Sequence, residues 1–320
     1  MEQQSKKVLV VYFSQTGQLR RVLDGLIAPL QESPSVQVDW LALQPSEPYP
    51  FPWPFFRFLE EFPEAVRLRP PPLAPFRLDS TAGSYDVVVL GYTVWYLSPS
   101  PPITAFLKSS AAREILRGKP VITVVACRNM WTTAQQTVRR YLDGLGARLS
   151  DHVAFVDSGP PMATFITTPR WMFTGRKDRW LGLPPAGVSS DDIQHRGTRL
   201  GKALRQAVEA DQVNGYRPVL SGLEAARADE GLIMSERIGQ RSFRIWSRLV
   251  GGAGPKGSWR RRFALAAYLA FLLVMIVTVV PISLMARKAL RPVLARRLTE
   301  LRQQHEAPSG SDNLRTRDFD

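Results

Sequence analysis

The chain is almost without cysteine. Cys127 is the one thiol in 320 residues. That excludes an intrachain disulfide and an all-cysteine metal site, and no metal is expected; a reducing compartment is consistent with it. The chain also begins without a charged and apolar leader. Met1–Lys7 is polar, and the apolar run Val8–Phe13 is too short, and too soon followed by turn residues, to act as a signal sequence. The N-terminal part is therefore expected to fold on the cytoplasmic side.

Positive charge is abundant but unevenly placed. The formal net charge is +14, and residues 196–320 hold 22 Lys+Arg against 11 Asp+Glu, a net of +11, leaving +3 for residues 1–195. The basic excess thus travels with the most hydrophobic part of the chain. Anionic lipid explains such a distribution better than nucleic acid, for which no binding motif is present.

Residues 1–215 alternate strand-like and helix-like patterns, which predicts an α/β domain with a parallel sheet covered on both faces. Val8–Phe13 reads as a buried central strand, and Leu19, Val22, Leu23, Leu26, Ile27 and Leu30 have helical spacing. Further strands are expected at Val36–Leu43, Tyr85–Gly91, Pro120–Ala126 and His152–Val156, with helices at Ile103–Leu116, Thr132–Leu145 and Ser190–Ala210. Ser189 to Asp192 resembles a capping box.

Two insertions break the rhythm. Residues 44–78 carry Tyr49, Phe51, Trp53, Phe55, Phe56, Phe58 and Phe62 among alternating prolines, which argues against a regular helix there. So many aromatic side chains imply a packed lid or a membrane-facing loop. Residues 158–188, with Phe165, Trp171, Phe173 and Trp180, are expected to form a second wall of the same pocket. Residues 216–258 read as a helical, basic linker.

Phe263–Ala286 contains no charged residue over 24 positions. As helix this is about 36 Å, against the ~30 Å of a hydrocarbon core. Arg260–Arg262 and Arg287, Lys288 and Arg291 bracket it, with Trp259 at an interfacial position. Residues 259–290 are therefore expected to be a membrane segment, followed by a basic, partly disordered tail at 291–320. A simple span would export Arg287, Lys288, Arg291, Arg296 and Arg297, against the tendency to keep positive charge inside. A re-entrant path kinked at Pro281 is the alternative.

The chemistry concentrates at Ser14, Gln15, Thr16, Gly17 and Gln18, between the first strand and the first helix. Two hydroxyls, a glycine bend and the positive end of a helix suit a phosphate without a lysine. Neither the Gly-Lys-Ser/Thr ending of a triphosphate loop nor a Gly-x-Gly-x-x-Gly turn is present. Taken alone, the motif is equally an ordinary capped turn. Two further loops leave the same end of the expected sheet: Thr93, Val94, Trp95 and Tyr96, and Arg128, Asn129, Met130 and Trp131. Each offers a tryptophan against which a flat aromatic ring can lie, and together with the phosphate loop they favour a flavin.

Ser14-x-Thr16-Gly17 with Gly91-x-x-Val94-Trp95 and the prolines after it resembles the flavodoxin family over residues 6–210. The resemblance implies a flavodoxin-like doubly wound five-stranded parallel sheet of order 2-1-3-4-5 and bound FMN. Ser14–Gln18 would hold the phosphate, Thr93–Tyr96 would line the isoalloxazine, and Arg128–Trp131 would approach its other edge. Many members have Asn and Thr where this chain has Gln18 and Leu19, so one phosphate hydroxyl is missing. Residues 49–53 (Tyr-Pro-Phe-Pro-Trp), 127–131 (Cys-Arg-Asn-Met-Trp), Ser235-Glu236 and the apolar tail resemble a narrower group, the flavodoxin-like proteins named dialkylresorcinol condensing enzymes. That resemblance implies aromatisation of a cyclohexanedione beside a ketosynthase, with the apolar insertions sheltering alkyl chains.

No acid or base for such a step stands out. His152 is expected at the start of a strand, remote from the loops, and His195 within a helix; Cys127 reads as a buried strand-end thiol, and Tyr92 and Tyr96 remain as proton relays. The leading expectation is a membrane-tethered flavin oxidoreductase with a lipophilic substrate. Its alternatives are a one-electron carrier or quinone-linked reductase with a redox partner, and a flavin-free scaffold binding a lipid or a ketosynthase.

Overall fold

The computed structural model describes residues 5–320, with side chains throughout except at 279–295. Its centre is a five-stranded parallel sheet of β1 (Lys6–Tyr12), β2 (Val36–Ala42), β3 (Val87–Tyr92), β6 (Pro120–Cys127) and β7 (Arg148–Val156), ordered β2-β1-β3-β6-β7. The labels β4 (Val94–Trp95) and β5 (Ser98–Pro99) belong to a small antiparallel ribbon beside it, which the sequence did not announce. With the ribbon set apart, the five sheet strands follow the 2-1-3-4-5 wiring of flavodoxin-like doubly wound folds.

Alternation along β1 divides the core into two layers. Val8, Val10 and Tyr12 face α1 (Gln18–Gln31) and α8 (Ser190–Glu209); Leu9, Val11 and Phe13 face the side of α4 (Pro101–Leu107), α5 (Ser110–Leu116) and α6 (Thr132–Leu145). At Gly201 a Cβ would lie 2.3 Å from the Leu26 carbonyl oxygen, so glycine there lets α8 lie directly on α1. The Ser189 hydroxyl accepts from Asp192 N at 3.1 Å and starts α8 as its capping pattern promised.

Several expectations are corrected. The single helix over Ile103–Leu116 is two, because Ser109 leaves the helical conformation and caps α5 by accepting from Ala112 N at 3.1 Å. The proline-rich insertion still forms short helices, α2 (Phe55–Glu60) and α3 (Phe62–Val66); Pro54 precedes the first and Pro63 falls in the opening turn of the second, where a missing N–H costs no bond. Residues 158–188 contain a helix, α7 (Pro161–Thr174). His152 does not begin its strand: β7 starts at Arg148, and His152 is fully buried in its middle.

The C-terminal third is no loose appendage. Leu220, Leu223, Ala225 and Ala226 are fully buried, and Ala154 N of β7 donates to Ala225 O at 2.9 Å. Next come α9 (Glu230–Gly252) and α10 (Trp259–Glu306). The tail expected to be partly disordered is fastened instead. Ala226 N donates to Gly310 O at 2.9 Å, Glu224 N to Asp312 O at 2.8 Å and Arg315 N to Gly222 O at 2.8 Å, while Phe319 enters the core. Trp259–Thr278 is long and apolar enough to cross a membrane, with a mean hydropathy of 1.8. Arg260 and Arg262 are exposed beside it, but Arg261 turns inward. The side chains of Pro281, Arg287, Lys288 and Arg291 lie outside the described residues.

Candidate functional site

The loops after β1, β3, β6 and β7 all emerge at the carboxyl ends of the sheet strands, and the topology reverses between β1 and β3, where a doubly wound sheet opens a ligand crevice. The loop after β1 sits at that switch point. Gly17 is left-handed, with φ 76°, and a Cβ added there would meet nothing within 4 Å. Space therefore lies open above the first turn of α1. The Ser14 hydroxyl accepts from Arg20 N at 3.3 Å and the Thr16 hydroxyl from Gln18 N at 3.4 Å, both long contacts that a stronger acceptor can replace. No acidic side chain occupies the first turn of α1.

Two residues of the loop face other partners. The Gln15 amide donates to Pro50 O at 2.7 Å, and its oxygen accepts from Trp53 Nε1 at 3.0 Å. Gln15 thus ties the loop to the first insertion. Gln18 is buried, and its amide oxygen accepts from Val188 N at 3.1 Å, closing the far end of the second insertion. The side chain of Gln18 is thereby spent on the fold; its backbone remains in the helix's opening turn.

The ribbon after β3 is held in an uncommon backbone. Tyr96 and Leu97 have φ of 50° and 61°, a turn that usually takes Asn or Gly. It is pinned from outside: the Tyr96 hydroxyl donates to Phe58 O at 2.7 Å, and the Thr133 hydroxyl to Leu97 O at 3.0 Å. Thr93 and Val94 are half-buried, Thr93 O accepting from Ser100 N at 2.9 Å. Trp95 is enclosed by protein rings, with centroids of Tyr49 at 5.0 Å, Trp53 at 5.5 Å and Phe13 at 6.2 Å. The lid therefore covers the indole expected to receive a flat ligand.

After β6, Arg128 is half-buried, donates to the Thr164 hydroxyl at 3.2 Å and lies 4.2 Å over the Phe165 ring. Burial pushes its guanidinium below its ordinary range, with Asp157 opposing. The Asn129 side chain accepts from Met130 N at 2.8 Å, and Met130 is left-handed at φ 55°. Trp131 is a correction. Its indole is 1% exposed and faces His152 at 4.7 Å, so it packs the core and forms no wall of the crevice.

The two insertions meet. Trp53 N donates to Met172 O at 2.8 Å, and Phe55 and Phe58 lie 5.3 and 5.5 Å from Phe173. Within this cluster the Tyr49 hydroxyl is buried without a partner, an arrangement that costs about 1–3 kcal/mol. A cleft of about 650 Å³ flanks the lid, lined by Pro70–Phe76 with Ala105, Lys108, Ser109 and Ala111, and none of the residues of the three loops borders it.

The acid-base candidates are tied elsewhere. Tyr92 donates to Gln135 Oε1 at 2.7 Å, Gln135 Nε2 to the Thr123 hydroxyl at 2.9 Å, and that hydroxyl meets His152 Nδ1 at 2.9 Å. This chain is wholly buried, and burial drives the Tyr92 phenol upward and the His152 imidazole down to about 3. Burial likewise raises Tyr96 and Cys127, whose thiol is held unreactive. His195 is exposed on α8.

The residue with the largest unforeseen role is Glu236 of α9. Its carboxylate accepts from the Thr133 N–H at 2.7 Å and from the Thr132 hydroxyl at 2.8 Å, and at 2.7 Å it shares the Thr133 hydroxyl proton with Leu97 O, capping α6 directly behind the Arg128–Trp131 loop. One sequence signal existed: α6 opens on two threonines with no acid in its first turn, so a cap from elsewhere was needed.

No protein-family model matches the chain, and no curated protein matches it. Among solved structures, the flavoprotein of Lactobacillus acidophilus NCFM in complex with FMN is 16% identical, with 47% of this chain and 93% of that one covered and a TM-score of 0.37. Flavodoxin 1 of Bacillus cereus is 15% identical, covering 64% and 98%, with a TM-score of 0.33. Rubredoxin:oxygen oxidoreductase of Desulfovibrio gigas is 10% identical, covering 65% and 38%, with a TM-score of 0.35. Identities and scores this low leave the fold resting on the strand order itself.

Proposed function

We propose that the chain is a membrane-tethered flavoprotein that binds FMN at the β1–α1 loop and oxidises or reduces a lipophilic substrate under its aromatic lid. The observation that carries this is the open space over left-handed Gly17 at the topological switch point, bordered by two hydroxyls and a helix N-terminus without acids. The phosphate half of FMN fits that donor set. The ring half requires Tyr49 to leave Trp95, and the unsatisfied Tyr49 hydroxyl favours a rearrangement that gives it a partner.

On this reading Ser14, Thr16 and the backbone of Gln15–Gln18 hold the phosphate, while Trp95 and the Tyr96–Leu97 turn orient the ring. Arg128 places positive charge at its far side. When bound, FMN supplies a two-electron sink that takes a hydride. Phe56, Met162 and Ile166, all more than half exposed, offer apolar surface around the entrance. The sharpest form of the proposal is aromatisation of a dialkyl cyclohexane-1,3-dione: the dione loses a hydride and a proton and tautomerises to a resorcinol. The motifs at 49–53, 127–131 and 235–236 support it. With Tyr92, Tyr96, Cys127 and His152 all engaged elsewhere, the proton goes to water. Tethering is supported by the apolar span Trp259–Thr278 and the basic residues around it.

The test is FMN binding by the full chain in mild detergent. Oxidised-flavin absorbance at one FMN per chain is expected, and Ser14→Ala with Thr16→Ala should weaken binding by roughly 10- to 100-fold per lost charged hydrogen bond. Colourless protein that takes up no added FMN refutes the proposal.

A further inference from the structure

Both flanks of the apolar helix are fastened to one domain. On the way in, Arg261 is 3% exposed and its Nη2 donates to Glu60 O and to Glu64 Oε2, both at 2.7 Å. Tyr268, 1% exposed, stacks on Phe62 at 4.1 Å with an interplanar angle of 14°. On the way out, Arg302 pairs with Glu230 at 3.2 Å, and Glu306, 3% exposed, accepts from Ala228 N at 2.9 Å. The buried Ser309 hydroxyl then accepts from His152 N and donates to Asp151 Oδ1, both at 2.8 Å. These are core contacts of a sheet strand, and they belong to residues beyond the apolar helix.

A single crossing cannot satisfy both sets. It would separate Tyr268 from Arg302 by the ~30 Å of a hydrocarbon core, with the domain on one side and its own Ser309 and Phe319 on the other. The partners on α9 give the distance that applies. Trp246, whose ring is 5.7 Å from Tyr268, and Glu230 are 16 residues apart, about 24 Å of helix on the domain's own surface. As a straight helix the 33 residues between Tyr268 and Arg302 would span about 50 Å, about twice that distance, so α10 bows away from this surface between its two fastened ends.

Resting on the membrane reading above, we infer that the apolar helix is monotopic: it enters a single anionic leaflet and returns on the same side, leaving the sheet domain and the 302–320 tail together. The occupant of its apolar surface is lipid. Trp259, Phe263, Leu273, Val274 and Val277 are all more than half exposed, and the exposed Arg260, Arg262 and Arg296 flank this surface from both ends. With both ends on one side, the flanking cations are not exported, which removes the conflict with positive-inside placement.

Two cysteine positions test it, Tyr216→Cys on the sheet domain and Leu314→Cys on the tail, both at exposed residues, with buried Cys127 as the thiol that labels only on denaturation. Sealed membrane vesicles from expressing cells are washed in high salt and treated with a membrane-impermeant maleimide, with and without detergent. The two positions are expected to label alike, both before detergent or both only after it, with a labelling ratio near one. If one labels freely and the other only after detergent, the chain spans and the inference falls while the membrane reading stands. Recovery of the protein in the high-salt wash overturns the membrane reading and the inference together.

Discussion

Lowering the pH should act on two adjacent buried groups in opposite directions, and His152→Asn separates them. Burial depresses His152 from its ordinary 6.5 to about 3 and raises Asp151 from 3.8 to about 6, the latter against donors from Val219 N, Leu220 N and Ser309. For His152 the unfolded chain binds the extra proton between about 3 and 6.5, so stability is lost as pH falls through that window. At 1.36 kcal/mol per unit the full loss is about 5 kcal/mol. For Asp151 the folded chain holds the extra proton between about 3.8 and 6, so stability is gained as pH falls, by about 3 kcal/mol over its window. Where the windows overlap the two slopes cancel, and the pair contributes a net loss only near pH 6–6.5 and below about 3.8. The Asn amide reaches about as far as Nδ1 and cannot titrate; the ring atoms it lacks cost about 1–3 kcal/mol at every pH. Urea unfolding of the full chain in mild detergent, followed by circular dichroism at stepped pH, gives the difference between wild type and variant. That difference should shift by about 5 kcal/mol in the variant's favour between pH 6.5 and 3. A difference that stays constant across the window refutes the assignment of His152 as a buried, neutral imidazole.

Gln15→Ala removes both hydrogen bonds that hold the lid to the β1–α1 loop and leaves Trp53 Nε1, on a residue 2% exposed, without a partner. At about 1 kcal/mol per bond, lid opening should become roughly 30-fold more frequent, read as faster hydrogen exchange at the Trp53 amide, which is bonded to Met172 O; unchanged exchange counts against Gln15 as the clamp. Glu236→Ala takes three hydrogen bonds from the start of α6 and should lower stability by about 2–3 kcal/mol, or the melting temperature by roughly 5–10 °C, whereas Glu236→Gln keeps most of it. Equal melting of the two variants would show that the cap contributes little.

The sheet was legible because a parallel strand buried on both faces writes itself as a continuous apolar run, as β1, β3 and β6 do. The helical period of α1 and the Ser189 cap were local signals as well. What escaped was decided by distant partners. Nothing within six residues of Trp131 says that its ring faces His152, and the inward turn of Arg261 depends on Glu64, 197 positions away. The 216–258 segment looked like a linker and the tail partly disordered because their burial comes from each other and from β7. Of the proposed site, the open left-handed turn at Gly17 could be read directly, since a glycine between two hydroxyl residues at a strand-to-helix junction is a local signal. The closed state of Trp95 could not, because it needs the proline-rich insertion folded over it.

The pairing of Gly222–Ala226 with residues 310–315 alters how this protein can be cut. β7 is the last strand of the sheet, and Ala225 covers one of its amides while Gly310 and Asp312 cover the segment outside it. Truncation ahead of the apolar helix, the ordinary route to a soluble fragment, discards Gly310, Asp312 and Ser309 along with the exposed apolar residues. Such a fragment would present a bare row of backbone donors and acceptors at the sheet's edge, the template on which strands of separate molecules add and aggregate. Shortening the apolar stretch while keeping the tail joined is the cut that leaves the edge sealed.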